Sequence, residues 1–241
     1  HADYRAVNIN EYKPGFFEFD LKEWNTTDTT RIRLSVPGRH NIYNALAMCA
    51  VCRFVGLSAE QCAEAALNFK GAGRRFEVYG ECNGALVIDD YAHHPDELHA
   101  LLTMARQLGY QRLIVAFQPH TYSRTAKLFD RFVEELKLAD VAVLAEIYAA
   151  REQNTMGISS ADLARNIPGS VYCSTLDKVT AQLRELARPG DLILTVGAGD
   201  IYRAGEKLHS EYYGEDSDYT RKGGVICSEI LLPSHAPPEY A

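Results

Sequence analysis

The stretch Val87-Ile88-Asp89-Asp90-Tyr91-Ala92-His93-His94-Pro95-Asp96 decides the fold. Its start closes an apolar run from Ala85, the length and composition of a buried strand. Pro95 then opens a helix, because its fixed φ suits the first turn and the amide hydrogen it lacks is not needed there. A strand that passes directly into a helix is half of a βαβ unit. Downstream the same rhythm repeats. Apolar runs at 85–88, 113–117, 141–144, 171–173 and 192–196 predict strands, and 95–108, 123–138, 159–166 and 176–187 carry helical patterns between them. The expectation is an α/β fold, a Rossmann-like, mostly parallel sheet with helices on both faces, joined by right-handed crossovers. Ligands of such a sheet lie beyond the carboxyl ends of its strands.

Upstream the period differs. Segments near Arg5–Ile9, Gly15–Leu21 and Arg31–Val36 alternate apolar and polar residues, the pattern of antiparallel strands. Asn41–Phe54 reads as a helix, and a second follows with Ser58 as its N-cap and Gln61 placed for a capping box. Gly71-Ala72-Gly73 then breaks the chain and sets a boundary between 1–72 and 73–208. Residues 209–241 are polar and aperiodic, a tail in which 225–232 has the composition of a short strand.

Composition bounds the function. The 241 residues include 25 Lys plus Arg and 32 Asp plus Glu, a net charge of −7, which excludes an extended polyanion-binding surface such as a nucleic-acid groove. No apolar run reaches the ~18–20 residues of a membrane span. Six cysteines are scattered without a second C-x-x-C, so Cys49 and Cys52 read as free thiols of a reducing, cytoplasmic setting, not zinc ligands. The start, His1-Ala2-Asp3-Tyr4-Arg5, has neither an initiator Met nor a signal-peptide core and reads as a cut inside a longer protein.

Four polar clusters sit where chemistry is expected. Asp89, Asp90, His93 and His94 follow the first quoted strand; such carboxylates accept from ribose hydroxyls or hold a metal, and such imidazoles orient a carboxylate or amine. In Ala116-Phe117-Gln118-Pro119-His120-Thr121-Tyr122-Ser123-Arg124-Thr125, Arg124 can clamp a carboxylate and His120 can add a hydrogen bond. Val196-Gly197-Ala198-Gly199-Asp200-Ile201 suggests a dinucleotide loop, but Tyr202 stands where the third glycine belongs and the motif closes the sheet instead of opening it. A tight turn is the reading that survives. Before the boundary, His40-Asn41 and Asn44 place two amides three residues apart on one helix face, either as adenine-edge partners or as cap and surface residues. Gly73-Arg74-Arg75-Phe76-Glu77 adds two guanidiniums within reach of phosphates.

In this order, together with Ile147-Tyr148-Ala149-Ala150, these motifs resemble the Mur ligase family over residues 4–208. The resemblance implies an ATP-dependent ligase of peptidoglycan precursor synthesis acting on UDP-N-acetylmuramate and L-alanine through an acyl phosphate. A ligase recycling murein tripeptide, or a non-catalytic amino-acid- or nucleotide-binding module, are the alternatives. It further implies that 1–72 ends a central ATP-binding domain of α+β character and that 73–208 is a C-terminal domain. His40, Asn41, Asn44, Arg75 and Asp90 would contact ATP. Tyr91, His93, His120 and Arg124 would surround the alanine and the muramoyl carboxyl, with His93, His120 and Arg124 catalytic. The sequence has no G-x-x-x-x-G-K-[ST] loop. The phosphate-cradling lysine, the Mg2+ ligands and the UDP-binding domain are therefore expected upstream, and the chain alone is expected to be inactive.

Overall fold

The computed structural model describes residues 2–213. They form two compact units, the first chiefly residues up to Lys70, the second beginning at Gly71.

The first unit is an antiparallel sheet of three strands in the order β1 (Tyr4–Lys13), β2 (Phe16–Glu23), β3 (Thr29–Arg33), followed by α1 (His40–Phe54) and α2 (Ala59–Asn68). Alternation sorts the strands. Phe17, Phe19, Leu21 and Ile32 point to one face and pack with Ile42, Ala45 and Cys49 of α1 and Ala59, Cys62 and Ala66 of α2. Between them, Glu18 accepts from Arg31 Nη2 (2.6 Å), Arg33 Nε (2.9 Å) and Asn10 Nδ2 (3.2 Å). The Arg31 bond above all, with those of Arg33 and Asn10, overcomes burial and pulls the Glu18 carboxyl down to about 2. Ser58 begins α2 with a full capping box: Gln61 N donates to Ser58 Oγ (3.2 Å) and Ser58 N to Gln61 Oε1 (2.8 Å). Cys49, Cys52 and Cys62 are free thiols.

The second unit is a six-stranded sheet in the order β4 (Glu77–Cys82), β5 (Ala85–Asp90), β9 (Asp191–Val196), β6 (Arg112–Phe117), β7 (Val141–Ala145), β8 (Val171–Cys173). All pairs are parallel except β4 with β5, a hairpin turned at Asn83-Gly84. The expected α/β sheet is present, with five strands where they were predicted. β4 was not predicted; it is a half-buried edge strand interrupted by a bulge at Tyr79, which hides its alternation. The single helix expected at 123–138 is two, α4 (Tyr122–Lys127) and α5 (Phe129–Leu136), divided at Leu128 where φ is −114°.

Helices cover both faces. Val87, Ile114, Ala116, Val143 and Ile193 pack against Val179 and Leu183 of α7 (Leu176–Leu186) and Ala204 of α8 (Tyr202–Tyr213). Phe117 points the other way and meets Phe132 of α5, 5.4 Å between ring centroids. α3 (Pro95–Gln107) is tied to α5 by His99–Glu135 and Asp96–Arg131 pairs. α6 (Ser160–Arg165) links β7 to β8. The chain leaves β5, skips a position to β6, moves outward to β8 and returns as β9 between them. In such sheets ligands bind where the strand order switches, here at the carboxyl ends of β5, β9 and β6. The strand composition noted at 225–232 lies outside the described residues.

Candidate active site at the carboxyl ends of the strands

The end of β5 separates its two aspartates by depth. Asp89 is fully buried and accepts from Arg74 Nε (2.9 Å) and Thr195 Oγ1 (2.7 Å). Burial pushes its carboxyl up, and Arg74 and Thr195 pull it back only in part. Arg74 continues to the carbonyls of Gly197 (2.6 Å) and Gly199 (3.2 Å), so its guanidinium stitches β5 to the turn after β9. Of the two arginines expected to reach phosphates, only Arg75 is left for that work. It is exposed, its guanidinium makes no hydrogen bond among the described residues, and it lies 5.5 Å over the Tyr91 ring.

Asp90 accepts from the amides of Ala92 (2.8 Å) and Phe76 (2.9 Å), one on each oxygen. Burial pushes its carboxyl up to about 6 against those bonds and against Arg75. Each oxygen retains a second acceptor site.

His93 and His120 face each other with ring centroids 6.2 Å apart. His93 Nδ1 lies 3.0 Å from the Tyr91 carbonyl and 3.3 Å from Glu97 Oε2. Both partners accept, so these contacts assign the hydrogen to Nδ1, and in the neutral ring Nε2 carries the free lone pair. Glu97 also accepts from the amides of His93 (2.8 Å) and His94 (3.1 Å). Burial alone would raise its carboxyl, but those amides and the His93 ring hold it below the usual range. His120 is stacked on Tyr148, 5.5 Å between centroids and 12° from parallel. Its Nδ1 is buried without a partner. Burial first, then Arg124 and His93, lower its pKa, which favours the neutral ring. Arg124 donates from Nη1 to the His120 carbonyl (2.9 Å), which leaves most of its guanidinium fork for a carboxylate.

The contacts run in one row: Arg75, Tyr91, His93, His120, then Arg124 and Tyr148. Guanidiniums flank the row, with aromatic and imidazole rings between them. Such a row can hold anionic groups and take a proton from an amine.

The turn after β9 has a packing explanation. Gly197 sits at φ +146°, and a Cβ there would come within 2.6 Å of the Gln118 carbonyl; a Cβ on Gly199 would strike Gln118 and Tyr148. Gln118 is buried and bridges β6 to this turn, accepting from Ile201 N (3.0 Å) and donating to Asp200 (2.8 Å). Both glycines are required by close approach of the β6 and β7 loops.

His40, Asn41 and Asn44 belong to the first unit, where they begin α1. Asn41 donates to the Pro37 carbonyl (2.7 Å) and accepts from Asn44 Nδ2 (2.8 Å). The two amides thus form one chain on one helix face, as the three-residue spacing predicts.

A family model described as "Mur ligase, glutamate ligase domain" matches residues 74–199, just over half of the chain. The chain belongs to the Mur ligase family. Among curated relatives, the UDP-N-acetylmuramate–L-alanine ligase of Lachnospira eligens is 50% identical over 181 residues, 73% of this chain and 39% of that protein. The enzyme of the same name from Caldanaerobacter subterraneus subsp. tengcongensis is 42% identical over 214 residues, 87% of this chain and 46% of that protein. Among solved structures, the UDP-N-acetylmuramate-alanine ligase of Thermotoga maritima aligns with a TM-score of 0.71 and 26% identity, covering 88% of this chain and 46% of that one. A murein peptide ligase from Psychrobacter arcticus aligns with a TM-score of 0.63 and 25% identity, covering 86% and 43%. The chain therefore spans less than half the length of these Mur ligases. A second family model, MobA/MobL, matches residues 196–241.

In this Mur ligase unit, sequence reasoning assigned no role to three residues that shape the row. Glu97 was legible: an acid three residues after His94 is a capping-box position, and it reaches back to two amides. Tyr148 and Glu152 were not. Both act on the loop after β6 from a loop some thirty residues away.

Proposed function

We propose that this chain is the amino-acid-receiving part of an ATP-dependent ligase that joins L-alanine to the carboxyl of UDP-N-acetylmuramate. The observation that carries the reading is the row at the strand ends, where His93, His120 and Arg124 converge in a chain 50% identical to such a ligase. Arg124 fits the alanine carboxylate, because its planar fork pairs bidentately with a carboxylate and only one of its N–H groups is committed. His93 presents Nε2 as an acceptor and takes the proton that the alanine ammonium must lose before its nitrogen can attack. His120, neutral, packs the space between His93 and Tyr148 and keeps water from it.

The muramoyl carboxyl is activated as an acyl phosphate with the γ-phosphoryl of ATP. The amine attacks its carbonyl carbon, a tetrahedral intermediate forms, and phosphate leaves as the amide bond closes. Arg75 neutralises phosphate charge and Asp90 accepts from the ribose. The contribution of these residues is positioning and charge neutralisation.

The test is steady-state kinetics of the complete ligase carrying this segment. Arg124→Ala is expected to raise the KM for L-alanine by ~10-fold or more with little change in the KM for ATP, the loss of one bidentate charge-assisted contact. Phosphate release that does not depend on L-alanine, or that prefers a tripeptide to it, overturns the reading.

A further inference from the structure

The connection from β7 to α6 carries a carboxylate that the scheme above leaves unused. Glu152 Oε1 accepts from Thr121 Oγ1 (2.6 Å) and Ser123 Oγ (2.5 Å), and Oε2 accepts from the Ser123 amide (2.8 Å). The amide of Ser123 is one of the first-turn N–H groups of α4 that lack an intrahelical partner. Thr121 holds the N-cap position but makes no side-chain cap bond. Its hydroxyl is turned to Glu152 instead, so this short helix is capped from another loop. The bonds from Ser123 and Thr121 hold the Glu152 carboxyl down at about 2, so it is charged at neutral pH.

The same connection is fastened at a second point. Tyr148 N donates to the Pro119 carbonyl (2.9 Å), and the Tyr148 ring stacks on His120. His120 lies at the second fastening and Arg124 directly follows the first, and the two are joined by Arg124 Nη1 to the His120 carbonyl. A six-residue helix is too short to hold its own geometry. Without an outside anchor, the long Arg124 side chain would sample many positions before it met a carboxylate.

We propose that Glu152 is a positioning residue, which clamps residues 121–123 so that His120 and Arg124 stand preformed for the incoming amino acid. The inference rests on reading those two residues as the amino-acid contacts. Its consequence is specific: loosening the clamp weakens alanine capture and leaves the nucleotide side untouched, because Arg75 and Asp90 are placed by β5 and the segment before β4.

The experiment is kinetics on the complete ligase carrying this segment, with Glu152→Ala as the breaking variant. Glu152→Gln is the conservative one, since it keeps an acceptor for the Ser123 amide and offers the two hydroxyls a donor. The double variant Thr121→Val with Ser123→Ala removes the hydroxyl arms alone and serves if Glu152→Ala fails to fold. Glu152→Ala is expected to raise the KM for L-alanine by roughly 10–100-fold, the scale of an ångström-sized misplacement. The KM for ATP and the melting temperature should stay near wild type, and Glu152→Gln should restore most of the loss. An unchanged KM for L-alanine overturns the clamp, and so does a parallel rise in both KM values with a fall in melting temperature. The two possible failures separate. If Arg124→Ala and His120→Ala impair alanine capture while Glu152→Ala and the double variant do not, the clamp alone is wrong. If none of them does, the contact reading is wrong and the clamp falls with it.

Discussion

Asp90 shows how much one residue's environment settles. Its carboxyl is buried yet receives two backbone amides, and burial wins, lifting it to about 6. An unfolded aspartate titrates near ~3.9, so the folded state binds this proton more tightly than the unfolded chain does. Protonation at Asp90 therefore favours folding. Its contribution is full below about pH 4 and is lost as pH rises through about 6, the reverse of a salt-bridged carboxylate. The measurement is denaturant unfolding of wild type and Asp90→Asn across that window. The stability of wild type relative to the variant should fall by on the order of 3 kcal/mol from pH 4 to 6.5 and stay level beyond it. A flat difference, or one that rises with pH, contradicts the assignment. The same elevation bears on function: near pH 6 part of the population loses the charged acceptor proposed for the ribose, and nucleotide affinity should weaken there.

At the scale of elements, the turn between β9 and α8 is where a misleading motif became informative. The G-x-G signal invited a cofactor loop, but Gly197 and Gly199 leave room for Gln118 and Tyr148, and Arg74 holds both of their carbonyls. Gly197→Ala would force a side chain into a left-handed backbone and against a carbonyl oxygen. It should cost roughly 1–3 kcal/mol in unfolding free energy, measured by chemical denaturation. A variant as stable as wild type would show that the loop after β6 shifts freely, which would also weaken the packing account of the site. Much of this architecture was readable in advance. The buried strands are continuous apolar runs with polar ends, so β5, β6, β7, β8 and β9 and the residues just past them announced themselves. β4 did not, because a half-buried edge strand with a bulge has no clean period. The break at Leu128 was equally silent, since apolar residues continue at helical spacing on both sides of it. α1 was legible as a helix but not as to its packing. It is apolar on two sides, with Ile42, Ala45 and Cys49 in the core while Tyr43, Val51 and Phe54 are exposed. Within the candidate site, polar residues carried on the strand ends were singled out from sequence, whereas Tyr148 and Glu152, which act through contact with a distant loop, were given no role.

For the molecule as a whole, the division of labour between its parts leads to the last prediction. The second unit holds the row of His93, His120 and Arg124, proposed to receive an amine and a carboxylate and not to transfer a phosphoryl group. Phosphoryl transfer depends on a cradle that fixes the γ-phosphate and neutralises the charge it develops. The sequence contains no G-x-x-x-x-G-K-[ST] loop. Arg75 alone is a single exposed cation, which can attract phosphates but cannot orient one for in-line attack. The 241-residue chain, given ATP, UDP-N-acetylmuramate and L-alanine, is therefore expected to release no phosphate above background. Alanine-dependent release should appear when the polypeptide that supplies the phosphate loop is joined to it, and Arg124→Ala in that joined protein should again impair alanine capture. If the isolated chain instead forms muramoyl-alanine in step with ATP hydrolysis, the phosphoryl-transfer site lies within these residues and the division of labour is wrong. If it binds alanine or ATP tightly on its own yet gives no turnover even when joined, it is a binding module built on a ligase fold.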